Sequence, residues 1–303
     1  MMRILVAGAA GRVGRHVARR LAAEGVALRL LVQSPSTLAM ATDHEVVVGD
    51  FNDTGQMANM FSSVDAAFMY APAPSASAAI FRTARAAGVR KVVLLSSASV
   101  VKAPPGANPI AERHRVAENA ARDAGLDWVF IRPDTMASNC LQWRECIRDE
   151  GRVYTPCPES MRNPVHEDDI ALLAAQSLLS DANVGRAFDI TGPEVLCIQD
   201  QVDSIAAQLG VRIECIRISD EEAMARMMQP PSGLPMQTAQ RLLEYLRKSV
   251  TVRPRVSLDY QAATGSAPRR FADWVRDNLD QFRNAGSPRS ASTLIDPTDR
   301  GMP

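Results

Sequence analysis

The chain has 303 residues, 46% of them hydrophobic, and its 34 Lys plus Arg residues balance 34 Asp plus Glu. That length fits one large or two modest domains with ample apolar material for a core. Zero formal charge argues against a dedicated nucleic-acid binder or a polybasic membrane anchor.

The N-terminal apolar run from Ile4 to Ala10 is too short for a membrane span and lacks the layout of a signal peptide. The five cysteines (Cys140, Cys146, Cys157, Cys197, Cys215) form no CxxC and are odd in number. Free thiols in a reducing cytoplasm are the expectation. The four histidines join no cluster with zinc spacing, so no metal is expected.

Short continuous apolar runs occur at 3–7 (RILVA), 28–32 (LRLLV), 45–48 (EVVV), 66–70 (AAFMY), 91–95 (KVVLL) and 128–131 (WVFI). Continuous rather than alternating runs predict strands covered on both faces. Helical patterns separate them. Val13, Val17 and Leu21 repeat every four residues in 12–24, ahead of Gly25, and Val116, Ala117, Ala120 and Ala124 share a face in 112–124, ahead of Gly125. This alternation predicts an α/β fold with a doubly wound parallel sheet of the Rossmann type.

Farther on, 166–179 reads as a helix behind an acidic cap, 186–192 as a strand returning to the sheet, and 200–210 as another helix. The run 211–218 (VRIECIRI) alternates like a half-buried strand. Ser219 and Glu222 have capping-box spacing ahead of a helix that Pro230 and Pro231 would end. A last amphipathic helix within 269–282 places Phe271, Trp274, Val275, Asn278 and Phe282 on one side. From about Asn284 the composition predicts a disordered tail, 284–303.

The strongest chemical signal is GAAGRVG, residues 8–14, between the first strand and the first helix. Gly8 allows the sharp turn. Gly11 lets a pyrophosphate approach the backbone, where the helix N-terminus offers free N–H groups and partial positive charge. Gly14 permits close packing of helix on strand. Ala10, Arg12 and Val13 complete the loop. The second strand ends at Gln33 and Ser34, with no carboxylate to grip a ribose 2′-hydroxyl, and Arg12 could meet a 2′-phosphate. NADP(H) is therefore expected over NAD(H). Loops after the later strands supply the rest of the expected cofactor contacts: Tyr70, Ala71, Pro72, Ser96 and Pro133, with Tyr70 near the nicotinamide.

The GxxGxxG spacing resembles the short-chain dehydrogenase/reductase superfamily. Together with GDFND, LLSSAS, HRVAENAARDAGLDWVFIRPDTMASN, NPVHEDDIA, AFDITGPE and TGSAPRRFADW, the chain resembles an atypical, NmrA-like member, akin to isoflavone-reductase-like enzymes and NADPH-quinone reductases. The resemblance implies that Asp50 and Phe51 contact adenine. It implies a Rossmann domain (1–134 plus 165–193) and a smaller, mainly C-terminal α+β substrate domain (135–164 plus 194–283), with the site in the cleft between them. Met136, Asn139, Trp143 and Tyr154 are expected to line that cleft. Met224, Met227, Met228 and Met236 form either an adaptable wall or core. His166, beside Asp168 and Asp169, is expected to cap a helix rather than bind metal.

In the wider superfamily a Ser holds the substrate carbonyl and a Tyr, assisted by a Lys four residues later, donates the proton. Ser97 matches the Ser. His114 and Glu118 stand in the Tyr and Lys positions. A protonated His114 is expected to donate near neutral pH, because its ordinary pKa is about 6.5. The function implied is NADPH-dependent reduction of a ketone or quinone on a hydrophobic, aromatic small molecule. An enone or imine acceptor is a further possibility, and a non-catalytic NADP-sensing regulator is the alternative.

Overall fold

In the computed structural model, the described residues are 2–34, 43–50, 57–229 and 233–283. Strand β1 (Arg3–Ala7) shows how the sheet divides the interior. Its period-2 alternation sends Ile4 and Val6 into one core and Leu5 and Ala7 into the other. Both faces are apolar because both are covered, which is why the run lacks a polar register.

Helix α1 (Gly14–Ala23) covers the first face and is followed by β2 (Ala27–Val32) and β3 (Glu45–Val48). Next come α2 (Met57–Phe61), β4 (Ala66–Tyr70), α3 (Pro74–Ala86), β5 (Lys91–Leu95), α4 (Ser99–Lys102), α5 (Pro109–Asp123) and β6 (Asp127–Pro133). The expected helix over 112–124 starts earlier, because the Asn108 side chain accepts from the amides of Ile110 and Ala111 and Pro109 occupies the first turn.

A short strand β7 (Thr135–Met136) and a 3₁₀ segment, Ala137–Trp143, lead to α6 (Arg144–Glu150), β8 (Arg152–Thr155), β9 (Met161–Arg162), β10 (Pro164–Val165) and α7 (Glu167–Leu179). Strand β11 (Arg186–Ile190) closes the large sheet. The remainder is β12 (Leu196–Cys197), α8 (Ile198–Leu209), β13 (Glu214–Arg217), α9 (Asp220–Met228), α10 (Met236–Thr251), α11 (Asp259–Thr264) and α12 (Phe271–Asp277).

The seven-stranded sheet has the order β11-β6-β5-β4-β1-β2-β3, and its pairs are parallel. The strand order reverses between β1 and β4, so the crevice for a ligand opens at their carboxyl ends, beside Gly8 and Tyr70. Helices α1 and α7 line one face, and α2, α3 and α5 the other.

A third core joins Trp143, Ile147, Val202, Ile205, Phe271, Trp274 and Phe282. The last helix ends at Asp277, and its expected continuation to Phe282 is a 3₁₀ turn. Tyr260, on α11, packs in the first core instead, with its hydroxyl on Asp169. The expected strand over 211–218 shrinks to Glu214–Arg217. It pairs with β8; Val211 is exposed, while Ile213 is buried in the third core and Cys215 packs against it. Ser219 caps α9 as expected, accepting from the Glu222 amide. Pro230, Pro231 and the 284–303 tail lie outside the described residues.

Candidate active site

Gly8 adopts φ +61°, in the left-handed region, and its carbonyl accepts from the Gly11 amide at 2.7 Å. A Cβ on Gly14 would lie 2.1 Å from the Gly8 oxygen, and one on Gly11 3.0 Å from it. Only glycine lets α1 start this close to β1. Val13, the N-cap of α1, contributes no side-chain hydrogen bond. The amides of Arg12 and Val13 make no backbone hydrogen bond among the described residues. The result is a bare helix N-terminus above a tight turn, which fits a pyrophosphate.

Tyr70 lies against this turn: a Cβ on Gly8 would sit 3.3 Å from its ring. Burial pushes its phenol pKa up, Asp50 adds to this and Arg113 opposes it. The Tyr70 ring thus lies beside the glycine turn, at the mouth of the crevice. Arg113 donates to the carbonyls of Ala71 and Pro72, at 2.6 Å and 3.1 Å, and so fixes the backbone that follows β4. Gln33 and Ser34 follow β2, and Asp50 follows β3. Phe51 lies outside the described residues. The Arg12 guanidinium reaches the Ser138 hydroxyl, in the segment after β7, at 3.5 Å.

The Ser-Ser pair after β5 divides its labour. Ser96 donates its hydroxyl to Glu118 Oε1 at 2.6 Å and is buried, so only its backbone can serve a cofactor. Ser97 accepts from the Ser99 amide at 3.2 Å and from the Ser99 hydroxyl at 2.9 Å. With both lone pairs engaged, its own O–H is left to donate. The Ala98 amide bonds the Pro133 carbonyl at 3.1 Å and holds this turn against the end of β6.

Glu118, in the Lys position, is 1% exposed and takes a two-point bond from Arg132, 2.8 and 2.6 Å. It is a structural anchor between α5 and β6, not a partner held for His114. His114 departs from expectation in its charge. Burial lowers its pKa to about 4, Arg113 adds to this, and Glu118 opposes it incompletely. Its Nδ1 is buried with no hydrogen-bond partner. The imidazole is neutral at pH 7 and holds no proton to release as an imidazolium.

The four side chains expected in the cleft separate. Met136, on β7, is half-buried beside the first core, and Asn139 is exposed. Trp143 is buried in the third core, because the 3₁₀ turn rotates it inward. Tyr154 is half-exposed, its hydroxyl on Glu150 and its ring beneath Arg226, 4.0 Å from guanidinium to centroid. Of the methionines, Met227 packs on the third core, whereas Met228 and Met236 are exposed.

His166 caps α7 by accepting from the Asp168 amide. Asp168 takes 2.8 and 2.7 Å bonds from Arg20, and Arg269 stands 2.9 Å away. Among the described residues no group of His, Cys, Asp and Glu could hold a metal ion, the five cysteines are free, and no helix is long and apolar enough to cross a membrane.

The sequence profile of an NAD(P)H-binding family matches residues 8–181. The (4-alkanoyl-5-oxo-2,5-dihydrofuran-3-yl)methyl phosphate reductase of Streptomyces griseus is 34% identical over 289 residues, 92% of this chain and 99% of that protein. Among solved structures, the NADP(H) complex of Citrobacter triphenylmethane reductase superposes with TM-score 0.74 at 19% identity, covering 91% of this chain and 99% of that one. The NADPH-dependent quinone oxidoreductase of Escherichia coli gives 0.73 at 18%, again over 91% and 99%. Nmra, a negative transcriptional regulator, gives 0.63 at 18%, over 92% and 96%. At such identities the structures speak for the fold; the profile and the Streptomyces relative speak for the family. Read with the glycine cradle and the parallel sheet order, they show that this chain belongs to the NAD(P)H-binding family and is an NAD(P)H-dependent oxidoreductase.

Proposed function

We propose that the protein is an NADPH-dependent reductase of a conjugated carbonyl compound, an enone or unsaturated lactone, rather than of a simple ketone. The observation that carries this reading is the proton inventory of the site. Ser97 is a poised donor, His114 is neutral, and Glu118 is locked on Arg132. Reducing an isolated ketone produces an alkoxide, which demands a strong acid nearby. Reducing the C=C bond of a conjugated carbonyl produces an enolate, far less basic. A single hydroxyl donor can stabilise it until solvent protonates the α-carbon.

When bound, NADPH supplies the hydride to the β-carbon; the double bond becomes single, and one proton from water completes the balance. The chain's own groups do the positioning. The turn Gly8–Gly11–Gly14 and the start of α1 would hold the pyrophosphate. Tyr70 would flank it, and Ser97 would bond the acceptor oxygen. NADPH over NADH is supported by the missing carboxylate at Gln33 and by the NADP(H) and NADPH complexes of similarly folded reductases. The Streptomyces relative is named for a conjugated 5-oxo-2,5-dihydrofuran, the same acceptor class.

NADPH oxidation with unsaturated lactones, cyclic enones, quinones and saturated aromatic ketones tests the reading. Turnover is expected with the conjugated lactones and not with the saturated ketones. Ser97→Ala should lower kcat about 100-fold with NADPH affinity unchanged. Nucleotide binding without turnover of any conjugated acceptor would overturn the reading in favour of a sensing regulator.

A further inference from the structure

Three buried cations stand out, and two have partners. Arg29 pairs with Glu45 at 2.9 Å, and Lys91 with Asp181 at 2.5 Å, in addition to three carbonyls at the end of α7. Arg162 on β9 is different. It is 6% exposed, it makes no ion pair among the described residues, and its Nε is buried with no hydrogen-bond partner. One terminal nitrogen donates to the Ser160 hydroxyl at 3.3 Å, and the guanidinium lies 6.0 Å from the Tyr245 ring centroid. Asp134 is near enough to act on it, but that carboxylate is held by Lys102 at 2.6 Å. A guanidinium stripped of water and left without a counter-charge is costly, and folds rarely retain one without use.

Its position suggests the use. Two residues beyond Arg162, β10 pairs with β7, the direct continuation of β6 past Pro133. The Tyr245 hydroxyl lies 3.5 Å from Thr135 on that strand. The same turn is held by Ala98 and Lys102, which follow Ser97 in the cap and last turn of α4: the Ala98 amide bonds the Pro133 carbonyl and Lys102 pairs with Asp134. The segments that carry Ser97 and Arg162 therefore both attach to the turn that ends β6, at the carboxyl edge of the sheet where ligands of such folds bind. We propose that Arg162 is a preformed receptor for a phosphomonoester on the substrate, anchoring it so that its conjugated carbonyl meets Ser97. A planar, five-donor fork suits a phosphate better than any other side chain does. The proposal rests on the conjugated-acceptor reading for the Ser97 end, and it makes the enzyme selective for phosphorylated over free-alcohol substrates.

The test begins with full-length protein saturated with NADP⁺, so that the pyrophosphate site is filled, titrated with methyl phosphate by calorimetry. Binding is expected in the wild type and should weaken at least about tenfold in Arg162→Met. Because that change removes an unpaired buried charge, the melting temperature of the nucleotide-free variant should hold or rise, which separates lost binding from lost folding. Arg162→Lys, which keeps the charge and loses the fork, should bind with intermediate affinity and serves if the Met variant does not fold. In turnover, a dihydrofuranone bearing the phosphate should be preferred over its free alcohol by the wild type, and the preference should collapse in either variant with NADPH affinity unchanged. Methyl phosphate that fails to bind, or binds both proteins equally, overturns the proposal, as does equal kcat/KM for the two substrates in the wild type. Arg162-dependent binding of methyl phosphate without turnover of any conjugated acceptor upholds the anion site and sinks only the reading of the chemistry.

Discussion

His114 shows what burial does to a residue whose type suggests acid catalysis. Its imidazole titrates near 4 because desolvation and Arg113 outweigh Glu118. In the unfolded chain it returns toward 6.5. Between these values the unfolded state binds a proton that the native state refuses. Stability linked to His114 is thus complete above pH 6.5 and is lost as pH falls toward about 4. Denaturant titrations from pH 7 downward should show this slope in the wild type, and His114→Gln should flatten it. The kcat–pH profile should carry no His114 inflection between about pH 6 and 8. A wild-type inflection in that range that His114→Gln removes would restore the imidazole to the proton path.

At the scale of elements, the Tyr-to-His and Lys-to-Glu differences do not form a substitute pair. Helix α5 puts Glu118 toward β6, where Arg132 and Ser96 meet it, while Arg113 on the same helix pins the loop after β4. The helix thus braces two of the loops that form the site instead of supplying a proton. Glu118→Gln would leave Arg132 half of its two-point bond, with the longer contact to Asp189 at 3.6 Å as its counter-charge. We expect a loss of about 3 kcal/mol in unfolding free energy, read from chemical denaturation. The fall in kcat of the folded fraction should be much smaller than that caused by Ser97→Ala.

At the scale of the whole molecule, the stretch 166–169 is the joint between the sheet and the C-terminal elements. Glu167 accepts from the Ser138 amide and the Trp274 indole, Asp168 gathers Arg20 and Arg269, and Asp169 takes Arg269 and Tyr260. Burial pushes the Asp168 pKa up, but His16, Arg20 and Arg269 outweigh it and hold the carboxyl well below its ordinary value. Its stabilisation is present above the unfolded value of 3.8 and is lost as pH falls through the lower folded one. Asp168→Asn should lower stability at neutral pH and flatten the acid limb of the stability curve below about pH 4. It should also raise the NADPH Kd more than the substrate KM, since it frees α1 behind the glycine turn while Arg269 keeps its bonds to Asp169.

The sequence by itself determined the sheet, the nucleotide turn and the class of reaction. Continuous apolar runs, helical periodicity and Gly8, Gly11 and Gly14 are local signals, set by strand burial and by backbone space that only glycine leaves. Only the tertiary structure decided which polar side chains remain available for chemistry. Trp143, expected in the cleft, packs into the third core, while Tyr154 is half-exposed under Arg226. Arg12 reached Ser138, and Glu118 found Arg132. Arg162 gave no warning in its own neighbourhood, since an unpaired charge is defined by what distant segments fail to place beside it. Charge state and partnership depend on residues far apart in the chain, and no local pattern encodes them.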